Sequence, residues 1–411
     1  MITIMFHLSG GLFRRFSSKR SPSPVHKFAQ SNVRLLDSTE KFEEEMLPWY
    51  SRELYYPVKI GEVFRSRYQV IGKLGFGGYS TVWLCRDLQQ HRYVTLKIFE
   101  RDSLEGKREA DIYNHLSSLR THHDGAKLVR MALDSFQLGS PKGSFQCLIH
   151  PPLGIRLFDF RNQLSTKVLP EKILKLTLLH VFLALDFLHT EAGIVHTDIQ
   201  EKNILFGIED SSILTDFEQS EKSNPSPRKI VGDRIIYSTR KLARTTKHGR
   251  PILCDFGQAR FGSDTYRGDI QPHIYRAPEV LLRIPWDQKV DIWNIGLVTW
   301  DLFQQGHLFY ARDSEKQDSD GHHLAEMIAL LGPPPKDLLQ KSDYATEFFD
   351  KEGNWKSKIR IPVLSLENLE GNLQGAQQRL FLEFMRKMLR WRPEERQSAK
   401  DLLSDPWLRS P

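Results

Sequence analysis

Apolar positions along this chain recur first at every second residue and later at every third or fourth, the spacings of strands and helices. Arg67 to Leu74, Thr81 to Cys85, Tyr93 to Phe99 and Phe145 to Ile149 are β-branched and aromatic stretches and read as strands. Between them, Ile112, Tyr113, Leu116 and Leu119 recur at helical spacing within 104–119. After residue 153 the pattern turns helical, and Ile173, Leu176, Leu179, His180, Leu183, Phe187 and Leu188 outline one long amphipathic helix. Further helices are predicted near 289–305, 322–331, 376–391 and 398–404, and no internal repeat occurs. Strands followed by helices predict an α+β molecule with a small β-rich N-lobe (68–152) and a larger, mainly α-helical C-lobe (153–409). An N-terminal extension (37–67) and a tail (1–36) precede them.

Hydrophobic residues make up 40% and charged residues 27%, enough for a sizeable core. The net charge of +7 belongs to the tail. Arg14, Arg15, Lys19, Arg20, Lys27 and Arg34 stand there without an acid, and removing them leaves 52 Lys+Arg against 51 Asp+Glu. The folded part is therefore close to neutral, and no direct nucleic-acid partner is expected. An Arg-rich, Ser-rich, acid-free start reads as a disordered basic tail or, alternatively, a mitochondrial transit peptide. Cys85, Cys147 and Cys254 form no CxxC pair, which fits a reducing compartment and gives no zinc site. No apolar run is read as long enough for a bilayer, so no membrane partner is expected.

The chemistry sits in a set of ordered motifs. Gly75-Phe76-Gly77-Gly78-Tyr79-Ser80-Thr81-Val82 lies between two strands, where glycines let backbone N–H groups approach phosphate. Lys97 ends a strand 15 residues past Val82, and Glu109 on the next helix can hold its ammonium against phosphates; Glu105 is the rival partner. His196-Thr197-Asp198-Ile199-Gln200-Glu201-Lys202-Asn203 supplies Asp198 to accept or orient a hydroxyl proton and Asn203 to bind magnesium, with His196 packed beneath. Asp255-Phe256-Gly257 supplies the second magnesium ligand, and Ala277-Pro278-Glu279 follows 22 residues later. Arg396 is placed to pair with Glu279, and Asp291 begins a buried helix. Together these are the parts phosphoryl transfer needs.

In these motifs the chain resembles the eukaryotic protein kinase superfamily over roughly 60–409. Within it, Tyr56-Pro57-Val58-Lys59-Ile60-Gly61, Ser80-Thr81-Val82-Trp83-Leu84, the threonine of His196-Thr197-Asp198 and Ile274-Tyr275-Arg276-Ala277-Pro278-Glu279 resemble the SR-protein kinase family, its short fungal members most. The segment 323–332 looks like the insert shared with cyclin-dependent and mitogen-activated kinases. The resemblance implies a bilobal kinase fold, ATP and Mg²⁺, and phosphorylation of protein serine, with Arg/Ser-rich splicing factors as substrates. It implies a monomer of cytoplasm and nucleus, the mitochondrion being the alternative. By alignment, His150 falls at the gatekeeper position, packed as a core histidine, and Pro151-Pro152-Leu153 form the hinge, recognising adenine through the Pro151 carbonyl and Leu153 N–H. Nucleotide contacts are assigned to Leu74, Gly75, Gly77, Ser80, Val82, Lys97, Glu109, Pro151 and Leu153.

The departures carry information. Asp216-Phe217-Glu218 lies 13 residues after Asn203 and Asp255 lies 52 after it; Gly257 and the distance to Ala277 favour Asp255. That choice makes 208–250 an insertion, read as a surface loop in which Pro225-Ser226-Pro227 is a candidate phosphosite. Gln200 stands where such kinases carry a catalytic lysine, and Lys202 is expected to supply that charge. Thr197 replaces the arginine that ordinarily grips an activation-segment phosphate, so activity is expected without phosphorylation of Ser263, Thr265 or Tyr266. His322 and Ala329 stand where docking acids are expected; Asp313, Glu315, Asp318, Asp320 and Glu326 are the candidates to compensate. Ser80 and Gln200 favour an alternative, a pseudokinase scaffold; Lys97, Asp198, Asn203 and Asp255 favour the enzyme.

Overall fold

The computed structural model describes residues 21–28, 33–262 and 265–410. Ser263 and the apolar-basic stretch 2–16 lie outside the described residues.

A six-stranded sheet of order β1-β2-β3-β4-β6-β5 forms the N-lobe: β1 (Val63–Phe64), β2 (Tyr68–Gly77), β3 (Ser80–Asp87), β4 (Arg92–Arg101), β5 (Asp134–Ser140) and β6 (Gly143–His150). Its inner positions, Val70, Trp83, Val94, Leu96, Ile98 and Ile149 among them, make one apolar cluster. Register matters for the site. Gly75 pairs with Val82, and Val82 with Lys97, so the glycine hairpin and the lysine lie on one line across the sheet. Helix α1 (Leu104–Ser118) starts at Ser103, whose hydroxyl accepts from the Gly106 N–H.

The C-lobe is built on α3 (Glu171–Phe187), which follows the short α2 (Leu157–Gln163). Two expectations are corrected here. The buried face of α3 is Leu174, Leu178, Val181, Phe182 and Leu185, whereas Leu176 is 52% exposed. Apolar residues surround this helix, so their spacing alone could not orient it. Extended by a π-turn, Glu171–Ala192 is also long and apolar enough by composition to cross a membrane, but it packs inside the lobe as its central helix. Against it lies the buried α6 (Lys289–Phe303), preceded by α5 (Pro278–Leu281) and followed by α7 (Asp320–Leu331) and a helix at Gly375–Met388. The buried Arg396 guanidinium pairs with Glu279 through both nitrogens at 2.6 and 2.7 Å, as the sequence led us to expect.

Two short antiparallel ladders, β7 (Ile194–Val195) with β12 (Arg260–Phe261) and β8 (Ile204–Ile208) with β11 (His248–Leu253), frame the loop that carries Asp198 and Asn203 and the turn that carries Asp255. The insertion leaves β8 and returns to β11, and it is not a passive surface loop. It forms α4 (Ser212–Ser223) and the hairpin β9 (Arg228–Val231)–β10 (Arg234–Tyr237). Phe217 fits against Gly72 of β2, where a Cβ would lie 2.9 Å from its ring. Tyr237 stands edge-on to Trp83, and the Arg240 N–H bonds the Lys73 carbonyl. Ser226 is 2% exposed and gives both its N–H and its hydroxyl to Glu221, so the proline-flanked serine is not presented for phosphorylation.

The same insertion clasps the N-terminal segments. Lys229 reaches Glu45 at 2.7 Å, Thr239 reaches Glu43 at 2.6 Å, and Arg234 holds the carbonyls of Arg52 and Tyr55. The buried Lys73 ammonium meets Glu43 and Glu44. Part of the stretch assigned to a disordered tail is also built into the fold: Ser23 bonds Leu88, His26 meets Glu218 and Lys222, and Leu36 bonds Arg228.

Candidate active site

Lys97 reaches from β4 to the Glu109 carboxylate of α1 at 2.7 Å and to Asp255 at 3.3 Å. Glu105 instead accepts from Ser103 at the helix start, which settles the partner as Glu109. Burial alone would lower the Lys97 pKa, but the Asp255 and Glu109 carboxylates raise it above its ordinary value, so the ammonium stays charged. Burial pushes the Asp255 carboxyl up; Lys97 outweighs it and holds Asp255 below the usual carboxylate range. Asp255 takes φ +69°, a left-handed conformation that aims its side chain back at the lysine. Asp216 lies exposed on α4, away from this group.

Beneath them, His196 and Thr197 donate their N–H groups to the buried Asp291 carboxylate, each at 2.8 Å. His196 is fully buried, bonds the Cys254 carbonyl at 3.1 Å and packs on Phe256, the structural role expected of it. Thr197 adopts φ +66° and donates its hydroxyl to the Gln258 carbonyl at 2.7 Å, so the loop grips the segment after Asp255 directly. Arg108 of α1 adds a bond to the Gly257 carbonyl at 2.8 Å.

Asp198 is held by the Asn203 side-chain N–H at 2.8 Å and by the Gln200 amide at 2.8 Å. Burial foremost, with Asp255 adding to it, raises its pKa to about 6 despite the opposing pull of His196. Lys202 is not brought to this carboxylate: it is exposed and lies 5.4 Å over the Phe158 ring of α2. Gln200, read as a lost cation, is the residue that contacts Asp198.

Among the described residues no three His, Cys, Asp or Glu side chains form a metal cage. The Asn203 Oδ1 and the Asp255 carboxylate still suit magnesium, which takes few protein oxygens and completes its shell with phosphates and water. Above them the β2–β3 hairpin carries Gly75 and Gly77, closed by Ser80 opposite Gly77. Leu74 and Val82 are half-buried on its two strands. At the hinge, the Leu153 N–H has no backbone partner among the described residues. His150 is buried, bonds the Met131 carbonyl through Nδ1 and leaves Nε2 unpaired; burial, then Arg130, keeps its pKa well below the ordinary histidine value.

Sequence reasoning missed three contributors. Trp49 and Tyr55 of the N-terminal extension both donate to the Gly78 carbonyl, at 2.9 and 3.0 Å, and Trp49 stacks on Tyr79. Arg130 enters the hinge corner from the segment before β5, a strand also missed.

The fold, the lysine–glutamate pair and the paired aspartates define a protein kinase. The family model for the protein kinase domain matches residues 68–251 and 242–408, so the chain belongs to that family. A serine/threonine protein kinase of Aspergillus fumigatus is 48% identical, covering 98% of this chain and 98% of its own. The serine/threonine-protein kinase SRPK of Physarum polycephalum is 28% identical, covering 91% of this chain and 92% of its own. SRSF protein kinase 3 of Sus scrofa is 24% identical, covering 94% and 93%. Among solved structures, a crystal structure of a kinase domain matches with TM-score 0.67 and 22% identity, over 86% of this chain and 99% of that one, which shows the shared fold. The chain is a protein serine/threonine kinase with SR-protein-kinase-like relatives. The alternative of a scaffold without phosphotransfer loses its footing, because Lys97, Asp198, Asn203 and Asp255 are all retained and meet in one cleft.

Proposed function

We propose that the chain transfers the γ-phosphate of ATP, with Mg²⁺ held by Asn203 and Asp255, to serine in Arg/Ser-rich proteins. The observation that carries the catalytic part is the Lys97–Glu109–Asp255 group standing above Asp198 and Asn203. In this reading Lys97 steadies the nucleotide phosphates, the bound metal would neutralise phosphate charge, and Asp198 takes the hydroxyl proton of the acceptor. Gln200 keeps Asp198 turned toward the cleft, and Lys202 contributes positive charge at its exposed rim.

The substrate class is supported by relatives named SRPK and SRSF protein kinase 3. The acids available to hold arginine are fewer than the sequence promised. Asp320 is bound by His273 and Tyr344, Glu326 caps the Tyr310 and Ala311 N–H groups, and Asp313 closes a turn. Glu315 remains on the surface to do this work, while Asp318 faces Arg312 of the same segment at 3.8 Å. A second reading, acceptors without arginine runs, is favoured by Lys202, an exposed cation at the rim that would repel arginine. The three cysteines, all free and buried, fit a reducing compartment; a monomer of cytoplasm and nucleus is our reading from the family likeness alone. The test is labelled ATP with Mg²⁺ and a peptide array holding Arg-Ser repeats and arginine-free serines, beside Asp198→Asn. Label on the Arg-Ser peptides supports the assignment, label on arginine-free peptides alone supports the second reading, and label equal to the Asp198→Asn control on every peptide rejects both.

A further inference from the structure

Arg130 puts a guanidinium into the corner of the cleft where the purine is read. Its own N–H donates to the Leu253 carbonyl at 2.9 Å, directly before Cys254 and Asp255. Its Nη2 donates to the Thr95 hydroxyl at 2.6 Å and to the Pro151 carbonyl at 3.4 Å. Thr95 lies two residues before Lys97 on the same face of β4, so Arg130 stands between the cleft roof and the hinge. These partners are neutral oxygens, and the buried Nε has none. His150 beside it is kept neutral, partly by Arg130 itself.

An adenine set against this hinge offers its 6-amino group to the Pro151 carbonyl. Arg130 already donates to that oxygen at 3.4 Å, and its remaining N–H groups confront the amine, donor against donor. A 6-oxopurine presents two acceptors on the same edge, O6 and N7, which is the edge arginine pairs with most often in nucleic-acid recognition. Pairing there would also satisfy donors that adenine leaves unmatched.

We propose that Arg130 makes the base pocket accept a 6-oxopurine, so that this kinase uses GTP as a phosphate donor alongside ATP. The proposal rests on the assignment of the cleft as a nucleoside-triphosphate site. Binding of Mg·ADP and Mg·GDP to the full-length protein by titration calorimetry tests it, together with kcat/KM for ATP and GTP, in wild type and in Arg130→Met. In the wild type, GDP should bind within about tenfold of ADP. Arg130→Met should lower the GDP:ADP affinity ratio by roughly tenfold or more and the GTP:ATP ratio of kcat/KM in step. Wild-type protein that binds ADP but not GDP overturns the proposal. So does an Arg130→Met change that weakens both nucleotides equally, because a brace between strand and hinge would act on both. Failure of ADP and GDP alike would reject the nucleotide site itself, a result separate from the loss of GDP alone.

Discussion

The indole N–H of Trp49 is bonded to the carbonyl oxygen of Gly78, at the tip of the phosphate-facing hairpin. Tyr55 donates to the same oxygen. Glycines give that hairpin freedom to approach phosphate, and these aromatics take part of the freedom away. Tyr55→Phe removes one hydrogen bond, and Trp49→Phe the other. At about 1 kcal/mol for each bond, each change should raise the KM for nucleotide roughly fivefold. Both should leave kcat near the wild-type value. An unchanged KM in the double variant would show that the hairpin holds its shape alone.

Asp198 sets the acid limb of activity. Only the carboxylate can take a proton, and its pKa is raised to about 6, so kcat/KM should fall as pH drops through that value. Stability carries the opposite sign. A raised carboxyl pKa favours the folded state at acid pH, and that contribution is lost as pH rises through about 6. Asp198→Asn should therefore be inactive yet melt at a higher temperature than wild type at pH 7.5. A lower melting temperature would contradict this account of the site.

Gln200 contacts Asp198 and Lys202 does not, so the two side chains act on different kinetic parameters. Gln200→Ala removes a contact with Asp198 and should lower kcat with little change in peptide KM. Lys202→Ala should alter mainly peptide KM, since its ammonium lies over Phe158 at the rim. If Lys202→Ala lowers kcat instead, the lysine reaches the phosphates during turnover.

Thr197 ties the catalytic loop to the Gln258 carbonyl without a phosphate. Protein in which Ser263, Thr265 and Tyr266 are replaced together by Ala, Ala and Phe should keep most of its activity on a fixed peptide. Thr197→Val should lose more. Complete loss in the triple variant would assign the activation step to one of those hydroxyls.

The Glu279–Arg396 pair is buried on both sides. Arg396→Ala leaves a carboxylate in the core and should cost about 3–5 kcal/mol of stability, read in urea melts. Arg396→Lys should recover only part of it, because a single ammonium cannot match both carboxylate oxygens.

The catalytic groups were legible because each is a short run of letters with fixed spacing, and Lys97, Glu109, Asp198, Asn203 and Asp255 meet as their motifs imply. Strands and helices with clear periodicity were legible too. What escaped is what depends on distant parts of the chain meeting. The face of α3 is set by its neighbours, since apolar residues surround it. The insertion reads as a loop because α4 carries its apolar residues, Ile213, Leu214 and Phe217, for a partner in another lobe. Trp49, Tyr55 and Arg130 belong to no short motif, and only the folded chain shows that they face the nucleotide cleft.

The insertion also bears on the order in which the molecule can be made. The N-lobe strands end at residue 150, yet Phe217, which packs on Gly72, and Tyr237, which meets Trp83 and the Lys73 ammonium, come much later in the chain. A ribosome releasing the chain from its N-terminus therefore delivers a sheet whose face around Ile71 and Leu84 lacks Phe217 until the insertion after β8 has emerged. Chains stopped between residues 150 and 240 would expose that face to chaperones or aggregation, and the small lobe gains independence from the large one only after part of the large one has been synthesised.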